Sequence, residues 1–96
     1  MGTIIWTESS LDDLKDIKSY IAQDSKQFAA YFVDRLFQAV EILKKFPKIG
    51  KKVKTIHSHT YRMILFKKYR IIYREISSDV KIIRVLQANR LMDFSE

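Results

Sequence analysis

The sequence predicts an α+β fold in the order β-α-α-β-β-β, with an N-terminal helical hairpin packed on one face of a small antiparallel sheet. Apolar residues recur at three- and four-residue steps over residues 11–21 and again over 29–43, the period of helices that bury one stripe. Short runs rich in β-branched and aromatic residues follow at 61–66, 69–76 and 80–87, separated by tight turns. The 96 residues hold no repeat, linker or low-complexity segment, so residues 1–96 read as a single domain. A chain of that length buries roughly two thirds of its unfolded surface.

Taken in order, Thr3-Ile4-Ile5-Trp6 is a short strand. Ser9 and Ser10 each precede an aspartate by three residues (Asp12, Asp13), an approximate capping box whose acids suit the positive end of a helix dipole. Leu11, Leu14, Ile17 and Ile21, with Tyr20 beside them, then mark an amphipathic helix of about four turns. Gln23-Asp24-Ser25 breaks it, and Asp24 or Ser25 caps a second helix from about Lys26 to Phe46. Its main stripe is Ala29, Phe32, Leu36, Val40 and Leu43, widened by Phe28, Tyr31, Phe37 and Ile42. Pro47 and Gly50 end it. Residues 48–60 read as a basic, irregular connection with room for a short strand near 53–56. The last three strands form a meander. Its turns are Lys67-Lys68, which lacks glycine, and the polar Ser77-Ser78-Asp79.

Composition removes several function classes. Apolar residues make up 47%, too many for a disordered chain, and no run of 18 apolar residues offers a membrane span. No charged-then-apolar leader is visible, and cysteine is absent, so the fold needs no disulfides and the cytoplasm is the simplest location. With two glycines there is no phosphate-cradling loop, and no nucleophile elbow appears, so no cofactor is expected. His57 and His59 lack an evident third ligand, so no metal site is expected.

The net charge is +7 and it is uneven. Residues 8–24 hold five acids against two lysines, whereas residues 44–74 hold eight lysines and three arginines. Such a balance suits nucleic acid, an acidic protein partner or an anionic surface. Lys44 and Lys45 have a structural role open to them, complementing a helix C-terminus. Lys51, Lys52 and Lys54 lie beyond it. Along 69–74, Tyr69, Ile71 and Tyr73 share one face and suit the core, leaving Arg70, Ile72 and Arg74 on the other. With Arg62, these residues predict a sheet whose second face is wet, cationic and able to meet a macromolecule.

Certain groups among these residues resemble the RelE/ParE superfamily of toxins from type II toxin–antitoxin systems. They are Trp6, Asp13-Leu14, Ile17-x-x-Tyr20-Ile21, Leu43-x-x-Phe46-Pro47-x-x-Gly50, Tyr69-Arg70-Ile71-Ile72-Tyr73 and Val85-Leu86-x-x-x-Arg90. The likeness covers nearly the whole chain and is stronger to the ParE branch. It implies a growth inhibitor that poisons DNA gyrase by contact and is silenced by a cognate antitoxin in a hetero-oligomer, with no membrane partner. Target contacts would fall on Lys51, Lys52, Lys54, Arg62, Arg70, Arg74 and Arg90. The alternative it implies is a RelE-like endoribonuclease cutting messenger RNA on the ribosome, with Lys51, Lys52, Lys54, Arg62 and Arg70 as its cations. That chemistry also needs a proton-exchanging group late in the chain, where Gln87 and Phe94 offer none, leaving Tyr61 or His57 as substitutes. A third reading is a non-toxic antitoxin-binding module. Tyr31, Phe37 and Ile42 exceed what one sheet face can bury and are the expected antitoxin contacts.

Overall fold

In a computed structural model, residues 2–89 are described. Arg90 and Phe94 lie outside them. The elements are β1 (Ile4–Trp6), α1 (Glu8–Ala22), α2 (Lys26–Glu41) with a 3-10 turn over Ile42–Lys44, β2 (Lys51–Ile56), β3 (His59–Phe66), β4 (Tyr69–Ile76) and β5 (Asp79–Gln87). The sheet runs β1-β5-β4-β3-β2.

The number and pairing of the strands depart from the sequence expectation in two ways. The basic connection is a six-residue edge strand, β2, paired antiparallel to β3 with a register shift between Lys52 and Lys54. Edge strands carry lysines and bulges that blunt their free hydrogen-bonding side, which erases the apolar alternation a central strand would show. The sheet is also mixed, because β1 lies parallel to β5, with Ile4 opposite Val80 and Trp6 opposite Ile82. The meander leaves β5 as its free edge, and β1 pairs there before the chain passes into α1.

The start of α1 is built by that docking. Thr7, not Ser9 or Ser10, is the N-cap: its Oγ1 accepts from the Ser10 N–H at 3.1 Å and donates to the Ile83 carbonyl at 3.1 Å. Ser10, fully buried, donates its hydroxyl to the Thr7 carbonyl at 2.8 Å. Asp13 turns from the dipole to β5. Its Oδ2 accepts from Arg84 Nε at 2.7 Å and from the Val85 N–H at 2.8 Å, and its Oδ1 accepts from Arg84 Nη2 at 3.0 Å. All of this falls where β5 shifts register opposite Ile72 and Tyr73. A bulge takes backbone groups out of the ladder, and the helix supplies partners for them. Ser25 caps α2 as expected, accepting from the Phe28 N–H at 3.0 Å.

The core lies between helices and sheet. Leu14 and Ile17 of α1 and Leu36, Val40 and Leu43 of the second helical segment meet Tyr69, Ile71 and Tyr73 of β4 and Val80, Ile82 and Val85 of β5. The other sheet face is not the open surface that the sequence suggests. Ile72 and Ile83 are fully buried there with Tyr61, flanked by Ile56 and Met63. A second apolar patch therefore occupies its middle, with the cations around it.

Asp13→Ala removes a bidentate partner of Arg84 and the acceptor of the Val85 N–H at a site where the two side chains are 13% and 25% exposed. Urea titration should register a loss of about 2–3 kcal/mol, the scale for charge-assisted bonds broken in a partly buried setting. A loss under about 0.5 kcal/mol would assign the α1–β5 seam to apolar contact alone.

Candidate target-binding surface

The junction from α2 to β2 places the basic segment. Tyr73 is fully buried beneath it, and its hydroxyl bonds both ends: it donates to the Pro47 carbonyl at 2.8 Å and accepts from the Gly50 N–H at 2.8 Å. Gly50 is required by closeness, since a Cβ there would fall 2.4 Å from Tyr73 Oη, 2.7 Å from its Cε1 and 2.8 Å from the Met63 carbonyl oxygen. Arg62 closes the loop from outside, Nη1 donating to the carbonyls of Gly50 at 3.0 Å and Lys48 at 3.3 Å. Lys48 Nζ reaches Glu75 at 3.1 Å. Burial pushes the Tyr73 phenol above its ordinary pKa, against the opposing pull of the Gly50 N–H and the Arg62 charge.

Register decides which cations meet. Arg62 stands opposite Tyr73, and Lys52 opposite Arg62, so both lie on the helix-side face of the sheet, beyond the end of α2. Lys51 stands opposite Met63 and Lys54 opposite Tyr61, on the other face. By alternation along β4, Arg70 and Arg74 share that other face. The seven expected target residues are thus divided: Lys52 and Arg62 on one side, Lys51, Lys54, Arg70 and Arg74 on the other, and Arg90 outside the described residues. Arg70 is half-buried between exposed Leu65 and buried Leu86. Neither acid nearby in sequence takes it: Glu75 holds Lys48, and Asp79 accepts from the Thr3 N–H at 2.9 Å. Arg74 Nη1 lies 3.1 Å from His59 Nδ1.

The expected proton-exchanging substitutes are poorly placed. Tyr61 is 5% exposed among Ile72 and Ile83. His57 sits in the β2–β3 turn at φ 49°, with Ser58 at 68°. Lys67 and Ser77 also take positive φ, so each hairpin of the meander turns through a left-handed residue that is not glycine. Among the described residues, no group of three acidic, histidine or cysteine side chains could hold a metal. No helix there is long and apolar enough to cross a membrane.

The three expected antitoxin contacts also separate. Phe37 packs edge-on against Trp6, ring centroids 4.9 Å apart. Tyr31, 58% exposed, instead joins Phe28, Phe32, Arg35, Phe66, Lys67 and Lys68 around a concavity of about 450 Å³. Arg35 stands 5.9 Å over the Tyr31 ring. Ile42 is exposed at the far end of the helix. Phe28 and Arg35 were legible one helical turn either side of Tyr31. Phe66 and Lys67 join them only because β3 folds back.

The model of the ParE toxin of type II toxin–antitoxin systems, parDE, matches residues 4–92. A Sinorhizobium fredii (strain NBRC 101917 / NGR234) protein named "Putative toxin Y4kP" is 34% identical over 89 residues, 91% of this chain and 88% of that one. The solved structure "Chromosomal ParDE TA system from P. aeruginosa" superposes with a TM-score of 0.77 over 93% of this chain and 98% of that chain. At 16% identity that likeness is one of fold.

Tyr73→Phe should cost about 1–3 kcal/mol, because the buried Gly50 N–H loses its acceptor and the Pro47 carbonyl its donor. Gly50→Ala should cost a similar amount, about 1–3 kcal/mol, through overpacking. The phenol adds an alkaline signature. Its folded pKa is raised, so its contribution is fully present below the unfolded value of about 10 and is lost as pH rises through the folded value. Denaturant midpoints measured from pH 8 to 11 should fall above about pH 10 in the parent chain, more steeply than in Tyr73→Phe; parallel curves would exclude Tyr73 as the cause.

Proposed function

The chain belongs to the ParE toxin family of type II toxin–antitoxin systems, and from that premise we propose that it inhibits growth by poisoning DNA gyrase in the cytoplasm until a cognate antitoxin covers it. The division of the cations carries the choice between contact and catalysis. Cleaving RNA requires a base, an acid and cations converging on one phosphate. Lys52 and Arg62 project on the opposite side of the sheet from Lys51, Lys54 and Arg70, so the set that such a ribonuclease would use does not converge. A poison acting by contact has no such requirement, and two cationic faces flanking one sheet suit a target that is itself a protein–DNA complex. Purified chain mixed with gyrase and plasmid should accumulate cleaved DNA and block supercoiling. Transcript fragmentation with gyrase unaffected overturns the reading.

The antitoxin's seat, in this reading, is the concavity beside Tyr31. Its aromatic wall and its three cations, Arg35, Lys67 and Lys68, complement an acidic segment with apolar anchors. Tyr31→Ala should weaken antitoxin binding by about 2 kcal/mol in calorimetric titration, the scale of an interface anchor, and added salt should weaken the parent complex. Phe37→Ala should leave affinity within about 0.5 kcal/mol while lowering stability by about 1–2 kcal/mol, since that ring supports Trp6. Equal losses of affinity from both substitutions would move the seat toward β1.

A further inference from the structure

We propose that the end of the sheet carrying the β2–β3 turn is a binding site for the phosphate group of a nucleic-acid backbone. There Lys48, Lys52, Arg62, Ser58, His59 and Glu75 surround a concavity of about 270 Å³. Lys52 and Arg62 are cross-strand Cα partners, so two positive side chains leave the same face of the sheet directly opposite each other. Such pairs destabilise a sheet, and an anion between them turns repulsion into attraction. Glu75 is the single carboxylate in the lining and is already held by Lys48 at 3.1 Å. Three cations therefore face one acid.

The donors suit a phosphodiester. Arg62 spends Nη1 on the carbonyls of Lys48 and Gly50, which fixes the guanidinium; its other N–H groups have no protein partner among the described residues. Arginine only donates, so the Arg74 contact at 3.1 Å makes His59 Nδ1 the acceptor. That contact lies on the sheet face of Arg74 and Tyr61, opposite to Lys52 and Arg62, so the lysines, the arginine and the hydroxyl side chains are the donors left to a phosphate. The lining has no aromatic or large aliphatic side chain, which a peptide partner would need as an anchor, whereas phosphate oxygens are met by lysine, arginine and hydroxyl donors alone. Nothing in the sequence placed Lys48 and Glu75 beside Lys52 and Arg62. Closure of the β2–β3 hairpin and the Lys48 bridge bring them together.

The proposal deepens the toxin reading by naming the part of a nucleoprotein target that this end touches, and it can fail or stand independently of gyrase. The test is fluorescence anisotropy of the full chain with labelled duplex DNA and, separately, single-stranded RNA of equal length, titrated over a range of salt. Lys48→Ala with Lys52→Ala should weaken binding to all sequences alike and lower the slope of log K against log salt by about 2, one per lysine. Lys15→Ala with Lys18→Ala, an exposed pair on α1 of the same charge, should leave affinity within twofold. Glu75→Gln should tighten binding, and thermal unfolding of each variant confirms that it folds. Equal losses from the two lysine pairs would assign the binding to net charge and overturn the site, as would the absence of binding to either nucleic acid. Preference for duplex DNA supports both the site and the gyrase reading. Preference for RNA keeps the site and overturns that reading.

Discussion

A single buried hydroxyl holds the two halves of the molecule in register. Tyr73 reaches from the centre of the sheet to the stretch where the second helix ends, taking the Pro47 carbonyl and the Gly50 N–H at 2.8 Å each. Both groups are thereby satisfied by one side chain, and an unsatisfied buried backbone group costs on the order of a hydrogen bond or more. The clasp explains why a proline, a glycine and a tyrosine more than twenty residues apart in sequence act as one unit. Proline stops the helix, glycine allows the approach, and the phenol fixes the distance between them. The basic strand β2 begins at the next residue, so the position of every lysine along it follows from this contact.

The motifs that made the family recognisable are partners in space. Leu43-x-x-Phe46-Pro47-x-x-Gly50 and Tyr69-Arg70-Ile71-Ile72-Tyr73 meet through the Tyr73 clasp. Asp13, from a third motif, meets Val85, from a fourth, through its carboxylate. The resemblance thus reads a set of tertiary contacts, the parts of a fold least free to change without loss of stability.

What was legible in sequence followed short-range periodicity. Ala29, Leu36, Val40 and Leu43 are all essentially buried, as the helical spacing required, and Tyr69, Ile71 and Tyr73 face the helices, as alternation required. What was hidden depended on distant partners. Ser9 and Ser10 read as the caps, whereas the cap is Thr7, whose side chain is held by the Ile83 carbonyl 76 positions away. Arg62 reads as a companion of Arg70 and Arg74, but its pairing with Tyr73 puts it on the helix-side face, and the register shift between Lys52 and Lys54 breaks the alternation that would have kept those two lysines together. The separation of Phe37 from Tyr31 was in principle visible. Six residues on a helix place them about 240° apart, and only the width of the apolar stripe made them look like one surface.

The parallel pairing of β1 with β5 has a consequence for how the chain comes to exist. Thr7 and Asp13, the two residues that tie the first helix to the sheet through polar contacts described above, find their mates between Ile82 and Val85. A nascent polypeptide emerging from the ribosome therefore carries its opening segment without a dock until almost all of the described residues have been translated. Contacts between such remote stretches also close late, because chain entropy must be surrendered first. The folded shape is consequently acquired near the end of synthesis, and a prematurely terminated fragment lacks the strand that would complete it.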